Sequence, residues 1–390
     1  MQVGEVVDFR FKLLSLLGRG GMGQTFRAED LQTGKVVAIK TLLESAHPGT
    51  EERARKRFRR EAIVLGRLRN PHIPEVYEVR PDGEWPYIAM QLIEGVSLRD
   101  YLAGNCLPGP PEVASLGIQA LDALDDAHQQ VLHRDLTPNN IMITNSGCVF
   151  LIDFGIALPL TPDATRYTSE WVGTVGYMAP ERLGGGEPDA ASDLYSLGCL
   201  FYEMFAGCAP FVAEPDLYSD EDRQMSLRRQ HQEDPPRPLR EHVPGLPADL
   251  DDLVTGLLAK DPRERPVSTH IREVLTRYRP APGAPEPNPG FDPDLTLPFR
   301  QPKEMQPSHA RPAGRGVSAA AFSPGRPAIR VQPDDVALRI KAAQDLHTAG
   351  DERAAAAALH ALLGETKRAY GKRHSLVRQI EAALGGLPAD

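Results

Sequence analysis

The chain has 390 residues, 41% hydrophobic and 25% charged, with a formal net charge of −9 at pH 7. That is apolar material for a sizeable core and two or three domains, and its acidic balance sets up no global basic field for nucleic acid or an anionic membrane. Cys106, Cys148, Cys199 and Cys208 form no CxxC and no zinc spacing, and no apolar run reaches the roughly 18 residues that span a bilayer.

Strand signals come first. "KVVAIK" (35–40) and "YIAMQLIEG" (87–95) are β-branched and apolar runs of strand length, with a basic helical stretch around 50–68 between them. Helix signals follow: Val113, Leu116, Ala120, Leu121 and Leu124 recur three and four apart. Strands before helices predict an α+β body with a small β-rich lobe and a larger helical lobe. Twelve of the 36 prolines fall between 280 and 330; with few large apolar residues there, 278–332 is expected to be a disordered, extended tether. Beyond it, Val336, Ile340 and Ala343, then Ala355, Leu359 and Leu362, then Leu376 and Ile380 sit at helix spacing, with Gly350-Asp351 as a stop and restart. The N-terminal "MQVGEVVDFRFK" lacks the charged-then-apolar pattern of a signal peptide. The expectation is a soluble, cytoplasmic protein without membrane or nucleic-acid partners.

Four motifs carry chemistry. "GRGGMG" has Gly18, Gly20 and Gly23 after the apolar "LLSLL". A dinucleotide fold would put a helix next; a strand-like stretch follows instead, which suits a hairpin turn whose backbone closes over phosphates, or a plain hairpin loop. Lys40 ends an apolar strand and either faces an anion or snorkels to solvent; Glu61 on the following helix is its natural partner. "HRDLTPNN" supplies Asp135 and Asn140, and "IDFG" supplies Asp153 after an apolar run. An asparagine and an aspartate at the ends of neighbouring strands are hard oxygen ligands suited to magnesium on a nucleotide phosphate, which leaves Asp135 free to accept a proton from a hydroxyl. "GTVGYMAPE" (173–181) closes a threonine-rich loop.

In this order and spacing the motifs resemble a eukaryotic-type protein kinase, and "DFGIA" with "GRGGMG" is most similar to bacterial serine/threonine kinases. The resemblance covers residues 9–277. It includes "SDLYSLG", whose Asp193 resembles the brace of the catalytic loop, and "DPRERP", whose Arg265 resembles the arginine paired with Glu181. It implies the two-lobed kinase fold and transfer of the γ-phosphoryl group of ATP to protein serine or threonine. Gly18, Gly20, Gly23 and Thr25 would lie on the phosphate-covering hairpin. Lys40, paired to Glu61, would hold the α- and β-phosphates. Leu17, Ala38 and Met90 would wall the adenine pocket, with backbone groups of Gln91 and Ile93 at its edge. Asn140 and Asp153 would hold Mg2+ or Mn2+, and Asp135 would orient the acceptor hydroxyl.

The family usually carries lysine two residues after the catalytic aspartate; this chain has Thr137. That departure admits a nucleotide-binding pseudokinase scaffold as the alternative, with a tail-driven adaptor as a third reading. The Thr137 hydroxyl is within sequence reach of Asp135 as a hydrogen-bond donor. Arg134 directly precedes Asp135, a feature linked to activation-loop phosphorylation, for which spacing singles out Thr168, with Ser169 beside it. Ile156 after "DFG" implies a bias toward threonine acceptors. The basic run "RARKRFRR" (53–60) reads as a solvated helix face, and His72, His128 and His133 as packed structural histidines. Residues 333–386 resemble the tetratricopeptide-type repeats appended to some actinobacterial kinases. With about one and a half repeats, fewer than the three such arrays need, this tail is expected to dock on the kinase, self-associate or bind a protein partner.

Overall fold

The computed structural model describes residues 1–20, 23–42, 58–59, 62–81, 86–104, 107–154, 175–213, 219–288 and 292–302, with 340–341, 358–360, 362–363, 380 and 384 near the C-terminus. It divides into two units, one of Met1–Glu5 with Lys12–His309 and one of Val6–Phe11 with Ala310–Asp390.

The first unit opens with a strand-rich lobe. After a two-residue strand β1 (Val6–Val7, second unit) come β2 (Phe11–Gly20), β3 (Gly23–Asp30), β4 (Lys35–Leu42), β5 (Val76–Arg80) and β6 (Tyr87–Gln91), with spatial order β2-β3-β4-β6-β5. The glycine motif therefore lies where β2 hands over to β3, with no helix after it. Along β3 every second residue is buried, namely Gln24, Phe26, Ala28 and Asp30, the period of a strand with one face on a core. β4 pairs antiparallel with both β3 and β6, so Lys40 stands opposite Thr25 on one side and Ile88 on the other, and Ala38 opposite Met90. Phe58 and Ala62, one helical turn apart, bury against Ile88.

The helical lobe is built on α1 (Leu98–Ala103), α2 (Pro110–Ala127), α3 (Pro180–Leu183), α4 (Ala190–Ala206), α5 (Asp220–Glu233), α6 (Leu239–His242), α7 (Ala248–Leu257), α8 (Ser268–Thr276) and α9 (Leu297–Arg300). The predicted stripe Val113, Leu116, Ala120, Leu121 and Leu124 is buried in its core with Leu197, Leu200 and Phe201 of α4 and Ile271 and Leu275 of α8. Gly117 lets these helices meet: a Cβ there would lie 2.6 Å from both Phe201 and Leu275. α4 starts on an Asp189 cap that accepts from the Ser192 N–H and ends on Gly207 at φ 75°.

A small antiparallel sheet, β7 (Gly95–Ser97), β8 (Ile141–Thr144) and β9 (Val149–Leu151), positions the chemistry. Its register sets Ile141 opposite Leu151, and the Ile152 N–H donates to the Asn140 carbonyl at 2.9 Å. Asn140, just before β8, and Asp153, just after β9, are thereby neighbours across one hairpin.

The proline-rich stretch departs from the expected tether in its first part. Among the described residues of 279–302, Asn288, Leu295 and Arg300 hold to the first unit. Leu295 is fully buried in the main core, and Arg300 donates from Nε to Thr296 Oγ1 at 2.9 Å and pairs with Asp294. Asn288 Nδ2 reaches Glu112 Oε1 at 2.6 Å. A few apolar side chains and one buried ion pair are enough to order a short proline-rich strap against a core that already exists. Leu295→Ala is expected to cost about 2–5 kcal/mol, the range for a buried leucine, read as a drop in thermal midpoint; an unchanged midpoint would mean the strap is not part of the folded lobe.

In the second unit, Ala358, Leu359, Leu362 and Ile380 bury together, with Phe9, Ile340, Leu363 and Leu384 against them. Ile340, Leu359, Leu362 and Ile380 are among the expected helix-spaced residues; Val336, Ala343, Ala355 and Leu376 lie outside the described residues. The rest of the repeat resemblance falls outside the described residues. Among the described residues no helix is long and apolar enough to cross a membrane.

Candidate active site

The "HRDLTPNN" segment is held from beneath by one buried carboxylate. Asp193, on the first turn of α4, accepts the His133 N–H on Oδ2 and the Arg134 N–H on Oδ1, each at 2.8 Å, and His128 Nε2 also meets Oδ2 at 2.8 Å. Burial would raise this carboxyl, yet hydrogen bonding to His128 and the nearby histidines hold it below the usual range. Arg134 sits at φ 65°, the left-handed region that non-glycine residues rarely occupy, and these bonds keep it there. His133 is fully buried, its pKa lowered to about 4 by desolvation, and its ring packs 4.5 Å from that of Phe154. His72 is buried with Nδ1 on the Val149 carbonyl at 2.8 Å. All three expected structural histidines are thus packed and partnered.

The backbone turns again at Asp153, with φ 53°. Phe154 is buried while the Asp153 carboxylate faces Lys40, whose Nζ lies 3.2 Å from Oδ1. Asn140 donates from Nδ2 to the Asp135 carbonyl at 2.7 Å and to Asp135 Oδ2 at 2.9 Å. Both bonds use the amide nitrogen, which leaves the Asn140 side-chain oxygen as an acceptor. Asp135 Oδ1 is buried without a hydrogen-bond partner. Burial pushes the Asp135 pKa up to about 6; the Asn140 hydrogen bond and the charges of Arg182 and Lys40 oppose that, and Asp153 adds to it. A carboxylate so placed is ionised at neutral pH but more basic than usual, which suits a proton acceptor.

Lys40, Asp153, Asn140 and Asp135 are therefore linked, lysine to Asp153 by charge and Asp135 to Asn140 by hydrogen bonds. Above them, Ala38 is buried on β4 beside Met90 on β6, and Leu17 and Gly18 on β2 are exposed. The Gln91 N–H is taken by the Glu75 carbonyl; the Ile93 backbone makes no hydrogen bond among the described residues. Gly20 and Gly23 end β2 and begin β3. The predicted partner Glu61 and the loop residues Thr168 and Ser169 lie outside the described residues, as does Ile156. Thr137 is buried at the start of a 3-10 turn, Pro138–Asn140, and its hydroxyl does not bond Asp135: Oδ2 is taken by Asn140 and Oδ1 has no partner.

Two charged groups escaped the sequence reading. Arg99 at the start of α1 donates to Glu203 Oε1 and to the Tyr177 hydroxyl, both at 2.7 Å, and Tyr177 donates to Glu203 Oε2 at 2.6 Å. Arg182, on α3, donates to the Arg134 carbonyl. The expected pair is present beside it: Arg265, with a fully buried side chain, grips Glu181 through two bonds of 2.8 Å.

Among the described residues no three His, Cys, Asp or Glu side chains cluster to hold a metal alone. Two oxygens, from Asn140 and Asp153, instead suit a hard cation that takes its remaining ligands from phosphate and water.

A model of the protein kinase domain matches residues 11–275. The serine/threonine-protein kinase PknB of Mycolicibacterium smegmatis is 36% identical over 288 residues, which is 71% of this chain and 44% of that protein. PknB of Mycobacterium tuberculosis is 38% identical over 277 residues, 69% of this chain and 42% of that protein, and PrkC of Bacillus subtilis is 32% identical over 266 residues, 68% and 40%. The chain thus spans less than half the length of these relatives. Among solved structures, the Mycobacterium tuberculosis PknI kinase domain superposes with a TM-score of 0.53 at 27% identity, covering 71% of this chain and 99% of that one. With a family model matched over about two thirds of its length, the chain belongs to the protein kinase domain family.

Proposed function

We propose that the protein is a serine/threonine protein kinase that transfers the γ-phosphoryl group of ATP to protein hydroxyls in bacterial signalling. The observation that carries this reading is the unpartnered Asp135 Oδ1 beside the linked Lys40, Asp153 and Asn140. The backbone of Gly18, Gly20 and Gly23 covers the phosphates, with Thr25 on the same hairpin. Lys40, paired with Glu61, holds the α- and β-phosphates. Leu17, Ala38 and Met90 enclose the adenine, whose edge meets the backbone of Gln91 and Ile93. Magnesium or manganese held by Asn140 and Asp153 supplies positive charge to the phosphate oxygens.

Asp135 accepts the proton of the acceptor hydroxyl as its oxygen attacks the γ-phosphorus; the bond to the bridging oxygen breaks and ADP leaves. Little covalent work falls to the protein, so rate comes mainly from positioning and charge. Arg134 pairs with phosphate on Thr168 or Ser169 after autophosphorylation, and the helical tail binds a protein partner or a second copy. Thr137 favours the pseudokinase alternative; the intact proton acceptor and metal oxygens favour the enzyme, since a single lost donor costs about 10² to 10³ in rate.

Incubation with γ-labelled ATP, magnesium and a protein acceptor, followed by phosphoamino-acid analysis, tests the reading. Label in threonine and serine is expected. Transfer no greater than that of Asp135→Asn would leave the pseudokinase.

A further inference from the structure

Position 137 leaves the catalytic loop without the lysine usual in the family, and the structure places the cation of Arg182 against that loop. Arg182 begins on α3, in the "APERL" segment, and is half-buried. Its Nη1 donates to the carbonyl of Arg134, the residue immediately before Asp135. Among the described residues that is the only hydrogen bond of its side chain, whose other guanidinium N–H groups meet no acceptor there.

Asp193 takes the Arg134 N–H from one side and Arg182 takes the Arg134 carbonyl from the other. The two together fix the left-handed peptide that aims Asp135. Arg182 is also within Coulomb range of Asp135 and Asp193, with Arg134 and Glu181 as its other charged neighbours.

We propose that Arg182 is a positioning residue that supplies, from α3, the positive charge that a lysine at 137 would bring to the catalytic loop. This rests on the kinase reading above. The loop then keeps its charge balance with a threonine at 137, because an arginine 45 positions further along the chain supplies the cation. A long, planar donor suits this job better than a lysine would, since it can hold a carbonyl with one N–H and still present charge with the rest.

A double-mutant cycle separates this from a plain structural brace. Steady-state kcat, KM for ATP and thermal midpoint are measured for the full chain and for Arg182→Gln, Thr137→Lys, their combination, and Asp135→Asn. Arg182→Gln is expected to lower kcat by about 10²-fold, the scale of one lost electrostatic donor, with KM for ATP within about twofold. Thr137→Lys alone is expected to change kcat by less than about threefold and, added to Arg182→Gln, to restore at least about tenfold. Arg182→Lys, which keeps the charge but not the planar fork, is expected to lose at least about tenfold less kcat than Arg182→Gln, and it carries the test should Arg182→Gln not fold.

The proposal is overturned if Arg182→Gln retains kcat, or loses it together with thermal stability and gains nothing from Thr137→Lys. It is also overturned if Thr137→Lys raises kcat as much in the parent as in Arg182→Gln, or if Arg182→Lys loses as much as glutamine does. All of these leave the kinase reading standing when the parent exceeds Asp135→Asn. A parent no more active than Asp135→Asn overturns both.

Discussion

Asp135→Asn is expected to lower kcat by about 10² to 10⁴, the usual contribution of a positioned general base, while leaving KM for ATP within a few-fold. The substitution is nearly isosteric, and an amide at 135 still has an oxygen to take the Asn140 hydrogen bond that Oδ2 takes now. What it removes is the proton-accepting power of Oδ1, the atom that is buried without a partner in the folded protein. An unpaired buried carboxylate oxygen is costly to maintain, and its persistence here is explained if a substrate hydroxyl completes it. Steady-state kinetics on Asp135→Asn, with nucleotide binding measured in parallel, checks both halves. Loss of binding along with kcat would make Asp135 a structural group rather than a base.

The second large effect concerns stability. Arg265→Ala is expected to destabilise the helical lobe by about 3–5 kcal/mol, the scale for removing one partner of a buried ion pair, and to lower the thermal midpoint by on the order of 10 °C. The guanidinium is fully buried and is satisfied by five acceptors: two oxygens of Glu181 at 2.8 Å each, the Ala259 carbonyl at 2.9 Å, the Ala191 carbonyl at 2.9 Å and the Lys260 carbonyl at 3.3 Å. Its plane also lies 4.9 Å over the Tyr195 ring. Burial would raise the Glu181 carboxyl, but hydrogen bonds from Arg265 and Ser192 hold it below the ordinary range. Deleting the arginine strands that charge. Replacing both partners by apolar residues of matching volume should recover much of the loss, because the pair's own net contribution is small once desolvation is counted. Calorimetry of the single and double variants checks this; equal losses from both would mean the cost is cavity formation instead.

The pair also explains why α3 is a dependable platform. Glu181 is the second residue of that short helix and Arg182 the third. Anchoring Glu181 to Arg265, and through Ser192 Oγ to α4 at 2.6 Å, fixes the base from which Arg182 reaches the catalytic loop. Arg182 and the catalytic loop thus depend on a buried contact far along the chain.

Much of this was legible in the sequence because the signals were local. Asp135 with Asn140, and Asp153 after an apolar run, lie in short local motifs, and one hairpin register brings Asn140 and Asp153 side by side. The stripe on α2 was equally readable, since a helix buries what recurs at 3.6 residues. The packing of 292–302 was not, because proline density signals extension whether or not a nearby core accepts Leu295 and the Asp294–Arg300 pair. Arg182 left no mark at all: its partner is a backbone carbonyl 48 residues away, and a carbonyl has no letter. The Arg99–Glu203–Tyr177 triad was missed likewise, each member unremarkable until α1, α4 and the segment before α3 meet.

The central claim is that Lys40, Asp153, Asn140 and Asp135 converge on the end of one triphosphate. It is tested most directly by a crystal structure with a non-hydrolysable ATP analogue and manganese, read by anomalous scattering. The expected result is a manganese peak between the Asn140 side-chain oxygen and the Asp153 carboxylate, Lys40 on the α- and β-phosphates, and Asp135 Oδ1 facing the γ-phosphate. A nucleotide bound elsewhere, or one bound in this cleft with manganese touching neither Asn140 nor Asp153, would contradict it.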